Sequence, residues 1–370
     1  AFTYNFNTNA ANGAGPTPNS GSTFDNSPVK DSVLNIKIGE KPNQSNADSN
    51  DTTIVGNTTG LVEEATALYF NNASGAMKDY KIMNVQLDAL EFARRGTLVS
   101  LVKGKVILDG TNATNRLNIN GGSSKTGINN IAIYAGALGT PSTTQSEIEN
   151  YVPLTITNSD LSTAIFGEKR AKITNNGNIT ITGSNGVKGI IVDTLAQATV
   201  GGNITMTNAG VYTDASNNKT GSVVIGAMGG SSLTGTGIIT ADVSGKESIA
   251  LYADNSTIDL QNTGSNIKAL DGAFAMTSTN SGTIKYAGNY IEAGQKSLMF
   301  YLDNTSKIEI NNPTTAKIAG STNATDRGTA FYYKSPTAYG TFNSSDISSY
   351  FTNRYNSTLG NLTLNMDAGS

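Results

Sequence analysis

The sequence predicts an all-β fold, a right-handed parallel β-helix, and three observations carry that prediction. The first is a degenerate repeat, clearest from Ser248 to Ile258. A small residue precedes a short apolar run that often ends in an aromatic, then Asp, Asn, Ser or Gly, then a β-branched residue that opens an alternating stretch. Copies begin at Asn130, Ser162, Gly189, Ser222, Ser248, Gly272, Ser297 and Gly328, with weaker ones at Ala65 and Gly96. Between Asn130 and Gly328 the steps run from 24 to 33 residues, about 28 on average, an irregularity that suits a solenoid with loop insertions.

The second observation is composition. Asn, Gly, Ser and Thr make up about 45% of the 370 residues, the vocabulary of turns, while the apolar fraction is only 37%. The third is that each period has room for three short strands: Ile249 to Ala253, Thr257 to Leu260 and Asn266 to Leu270, then Ala273 to Met276, Thr283 to Tyr286 and Asn289 to Ala293. Strands this short hold no core alone. Equivalent strands must therefore stack from coil to coil into parallel sheets, with the right-handed crossover that parallel connections adopt.

Strand alternation sends Ile249, Leu251 and Ala253, or Ile258 and Leu260, to a dry interior and leaves Asp259, Lys285 and Glu309 wet. Coils spaced about 4.8 Å apart predict ladders of Ile258, Ile284 and Ile308, of Leu251, Ala275 and Phe300, and, at the turn, of Asn255, Thr279 and Asn304. About ten such coils over residues 61–333 predict a rod of roughly 50 Å. Residues 1–60 read as an irregular leader and N-terminal cap, and residues 334–370 as an aromatic-rich insertion or cap with a continuing coil. Smaller insertions are expected at Met77 to Arg95, Gly136 to Tyr151 and Ala209 to Gly221.

Several function classes are excluded by what the chain lacks. Without His or Cys it supplies no Ser/His/Asp triad, thiol nucleophile, disulfide or His/Cys zinc site. A net charge of -3 with no basic stripe argues against nucleic acid. No apolar run reaches the length of a membrane helix, so no membrane contact is expected of this chain. The start at Ala1 fits a piece of a longer polypeptide.

The motif from Ser248 to Ile258, with Gly177 to Ile181 and Gly202 to Met206 between copies, resembles the passenger regions of bacterial type V autotransporters. The Asn-rich, His-free style is similar to the large fusobacterial outer-membrane adhesins. The likeness covers about Leu61 to Tyr333. It implies a cell-surface or extracellular location, anchored through a C-terminal outer-membrane barrel outside this chain. It also implies adhesion to host-cell glycans or receptors or to other bacteria, with no reaction and no cofactor. A structural stalk is the close alternative.

Parallel β-helices also house polysaccharide-degrading enzymes that use paired carboxylates. Asp254 and Asp303 occupy equivalent turn positions, but Ser278 stands between them, which leaves the carboxylates about 10 Å apart, at or beyond the spacing of an inverting pair. No calcium-binding nonapeptide is present and no metal site is expected. The candidate binding residues lie in an aromatic cluster. Tyr332, Tyr333, Tyr339 and Tyr350 offer faces for sugar C–H groups, and Asn343, Asp346, Asn353 and Arg354 offer hydroxyl partners. The simpler reading of the same residues is a capping helix over an open coil end. Glu91, Arg94 and Arg95 with Lys78 and Lys81 form a weaker charged candidate, read more simply as a solvated loop.

Overall fold

The computed structural model describes residues 61–71, 77, 79–82, 84–303 and 305–333, together with the strands Thr3–Asn7, Phe24–Asp25, Leu34–Glu40, Thr52–Val55 and Leu362–Met366. The chain is a parallel β-helix. Each coil contributes a strand to each of three faces, illustrated by Ile249–Asp254 in a first sheet, Thr257–Leu260 in a second and Asn266–Leu270 in a third. These strands pair in parallel with their equivalents in the coils before and after them. Ten coils follow residue 61 in the first sheet, from Thr66–Asn71 to Thr329–Tyr333. Register partners there are separated by 24 residues (Phe274 to Leu298) up to 35 (Lys188 to Val223).

The interior is a single apolar column. Ile258, Ile284 and Ile308 lie in register and are buried, the expected ladder. A second ladder needs correction. Leu251 is in register with Met276 and Phe300, and Ala275 belongs one position earlier, over Ala250. The cause is a break in alternation at the start of each first-sheet strand. Ile249 is half-buried while Ala250 and Leu251 are both buried, because the chain is still rounding the corner from the third sheet. The same pattern recurs in Thr66–Asn71 and Ile131–Ala135. Counting strict alternation from the leading small residue therefore misplaces two copies, whose equivalent positions are Val187 and Ala273 instead of Gly189 and Gly272.

Buried serines explain the leading small residue. Ser248 Oγ accepts from Ser222 N at 3.0 Å, Ser222 Oγ from Val187 N at 3.2 Å, and Ser297 Oγ from Gly272 N at 3.0 Å. Each hydroxyl stitches its coil to the one before, at a corner where the regular ladder is interrupted. Inside the column, Asn150 and Asn175 do similar work. They are buried, and Asn150 Nδ2 donates to Asn175 Oδ1 at 2.8 Å.

The turn stack also differs from expectation. Thr279 is in register with Asp254, so Asn255 is followed in the next coil by Asn280, and both are left-handed, at φ 49° and 50°. Asn304 lies outside the described residues. The stretch from Met77 to Arg95 is no insertion, since Asp79–Ile82 and Val85–Ala89 are regular strands of the second and third sheets. The insertion after Gly136 ends sooner than expected, because Ser146–Asn150 is a second-sheet strand. Within Ala209 to Gly221 an antiparallel hairpin, Tyr212–Thr213 with Lys219–Thr220, projects from the coil. Ahead of residue 61, Thr3–Asn7, Phe24–Asp25 and Leu34–Glu40 pair with one strand of each sheet.

Candidate functional site

The outer face of the first sheet carries an aromatic column along the rod. In register order it runs Tyr69, Ser100, Tyr134, Phe166, Ile191, Gly226, Tyr252, Thr277, Tyr301, Tyr332. Strand geometry fixes this, since one outward position repeated in each coil becomes a line parallel to the axis. Tyr301 stacks on Tyr332 with centroids 5.1 Å apart and planes 14° apart, and on Phe274 at 6.0 Å and 15°. Tyr134 and Phe166 lie 5.8 Å apart.

Carboxylates stand beside two of the rings. Tyr134 Oη donates to Glu168 at 2.5 Å and Tyr252 Oη to Asp254 at 3.1 Å. Burial, and then the hydrogen bond to Glu168, raises the Tyr134 phenol well above its ordinary value, and burial with Asp254 raises Tyr252 in the same way. Both hydroxyls therefore stay protonated as donors across the physiological range, and each carboxylate keeps lone pairs for a further donor. The edge of the column is wet: Tyr332 is 51% exposed.

Asp303 also caps its turn, and Asp254 reaches into the next coil. Asp254 accepts from Asn280 Nδ2 at 2.9 Å, and Asp303 accepts from Asn280 N at 2.6 Å and from Thr305 and Ser306. Burial would raise the Asp303 carboxyl, but the bonds from Asn280, Ser306 and Thr305 outweigh it and hold it below its ordinary value. Thr279, not Ser278, is the residue between them in register.

The sequence-derived site residues fare differently. Tyr332 is on the aromatic column, whereas Tyr333 is in register with the buried Leu302. Tyr339, Asn343, Asp346, Tyr350, Asn353 and Arg354 lie outside the described residues, as does Lys78. The charged candidate does not assemble. Arg95 is held by Glu63 at 2.9 Å and Glu64 at 3.7 Å, and Arg94 Nε donates to Thr126 O, while Lys81 stands on the second sheet.

Two other surface features escaped the repeat-based reading. On the second sheet, Asp79, Lys105, Glu147 and Lys172 form a sign-alternating column beside a cavity of about 470 Å³, with Lys105 and Glu147 4.0 Å apart. Alternate charges at the outward positions of successive strands were its signal in the sequence. The other is the loop 136–145, which stands against strand Thr97–Leu108. Among the described residues no group of three or more acidic, His or Cys side chains is placed to hold a metal ion, and no helix is long and apolar enough to cross a membrane. Comparison with protein-family models, curated proteins and solved structures returned no match.

Proposed function

We propose that this chain is an adhesive segment of a bacterial cell-surface protein of the autotransporter passenger kind, binding host-cell glycans or receptors or the surface of another bacterium. The observation that supports this reading is the aromatic column flanked by carboxylates. An elongated ligand lying along the rod meets rings and acceptors at several coils, with gaps at Ser100, Ile191, Gly226 and Thr277, so weak contacts add. Rings already stacked on each other offer edges and hydroxyls to a ligand, not free faces. This favours donors and acceptors over sugar stacking at Tyr134 and Tyr301, whereas Tyr252 has no stacked ring neighbour among the described residues and Tyr332 is exposed at the end of its stack.

The test is attachment of the purified chain to glycan arrays, receptor ectodomains and bacterial cells. Tyr252→Ala and Tyr332→Ala should each lower attachment several-fold, with thermal unfolding within a few degrees of the parent. Attachment unaffected by either substitution would remove the column from the reading. Absence of attachment to every surface would leave the spacer role, which the unbroken apolar column equally supports.

A further inference from the structure

Four of the described corners out of the first sheet pass through two consecutive left-handed residues, as at Lys169 and Arg170 (φ 52° and 65°) or Thr194 and Leu195 (φ 48° and 62°), and another through Asn255 alone. Two neighbouring coils do not. Strand Thr97–Leu108 runs unbroken from the first sheet into the second, and the next coil replaces the corner with the loop 136–145. That loop is pinned at its neck and along its body. Ser146 Oγ donates to Gly136 O at 2.6 Å, Lys169 Nζ to Ala137 O at 3.4 Å and Arg170 Nε to Pro141 O at 3.2 Å. A surface loop held by its neighbours in this way presents a preformed site at little ordering cost.

Between loop and strand lies a cavity of about 470 Å³, within the usual size range of small-molecule sites. Lys103 is the only ionisable side chain in its lining. It is half-buried and makes no ion pair or side-chain hydrogen bond among the described residues. Around it stand the amides of Asn71 and Gln145 and the hydroxyl of Ser142, facing the aliphatic Val102 and Leu138. Leu138 is 68% exposed, a large apolar side chain held at the rim. The cavity on the second sheet is different, because its lysines already stand in register with carboxylates.

We infer that the cavity under loop 136–145 binds an acidic sugar. The ligand carboxylate sits on Lys103, its hydroxyl or acylamido groups meet Asn71, Gln145 and Ser142, and its C–H or N-acyl methyl face lies against Val102 and Leu138. An ammonium with no counter-ion among the described residues can take a ligand carboxylate through a charge-assisted hydrogen bond. The inference concerns a second site and does not rest on the aromatic column, so sugar binding and cell attachment fail independently.

The experiment is titration of the full chain with the methyl glycosides of N-acetylneuraminic acid and glucuronic acid, with methyl N-acetylglucosaminide and with inorganic sulfate, followed by calorimetry or ligand-observed NMR. At least one carboxylated glycoside should bind saturably, and the neutral glycoside and sulfate should bind far more weakly. Lys103→Gln should lower the affinity about tenfold or more, as loss of a hydrogen bond to a charged group does. Its thermal unfolding should match the parent, and Tyr332→Ala should bind as the parent does. Absence of saturable binding for both carboxylated glycosides overturns the inference. So does an unchanged affinity in Lys103→Gln, or equally strong binding of the neutral sugar or of sulfate.

Discussion

Ser278 is fully buried, in register between Ala253 and Leu302, and its hydroxyl has no hydrogen-bond partner. An unpaired buried hydroxyl carries a desolvation penalty that no bond offsets. Ser278→Ala should therefore raise stability by about 1 kcal/mol in denaturant unfolding; a loss would mean that the hydroxyl is satisfied in solution. Thr194 presents the opposite problem. It is β-branched yet left-handed at φ 48°, a backbone state that Asn255 and Asn280 occupy with less strain at equivalent corners. Thr194→Asn should stabilise by up to about 1 kcal/mol, and a destabilised variant would locate the strain elsewhere.

Strands in this protein depend on corners as much as on their own ladders. Ser248 Oγ accepts from the buried Ser222 N, which has no water to turn to, and donates to Ser244 O at 2.7 Å. Ser248→Ala should cost about 1–3 kcal/mol, and hydrogen exchange should accelerate first at Ser222. The turn capped by Asp303 should be sensitive to acid. Its folded pKa is depressed, so its contribution is present above the unfolded value and lost as pH falls through the lower folded one. Exchange protection of the Asn280 and Thr305 amides should fall below about pH 4 in the parent, and Asp303→Asn should abolish that step. An unchanged acid profile in the variant would show that Asp303 is not the titrating group.

Over the whole molecule, stability is a sum of coils and the interfaces between them, because each coil touches only its neighbours. Residues 249–273 form one complete turn, from Ile249 to the residue before its register partner Phe274. Removing all 25 joins equivalent chain positions and keeps every ladder continuous. The shortened chain should fold, with its length in small-angle scattering reduced by about 4.8 Å. Removal of residues 249–260 alone, which takes away two strands and leaves the third, should not yield a folded rod. If both deletions behave alike, the coil is not the folding unit.

Much of this architecture was legible in the primary structure because coil stacking turns one-dimensional periodicity into three-dimensional neighbourhood. A β-branched residue at an inward position, such as Ile258, Ile284 or Ile308, needs nothing beyond its own strand to specify where it lies. The register of the first sheet was harder to read, because the corner turns Ala250 and Leu251 inward together, and the small residue that recurs there, as at Ala132, Ala164 and Ala275, breaks the alternation a strand pattern assumes. Candidate sites were less legible still. Tyr332 reveals itself as an aromatic, but only the stacked coils align it with Tyr301 and Tyr252 and set Asp254 beside the column. Lys103 and Leu138 are 35 positions apart in the chain with no shared motif, and they line one cavity because a missing corner and a pinned loop fall in adjacent coils. Periodic packing is a local rule repeated and can be read along the chain; a binding cavity arises where neighbouring repeats depart from that rule together, which only the tertiary structure decides.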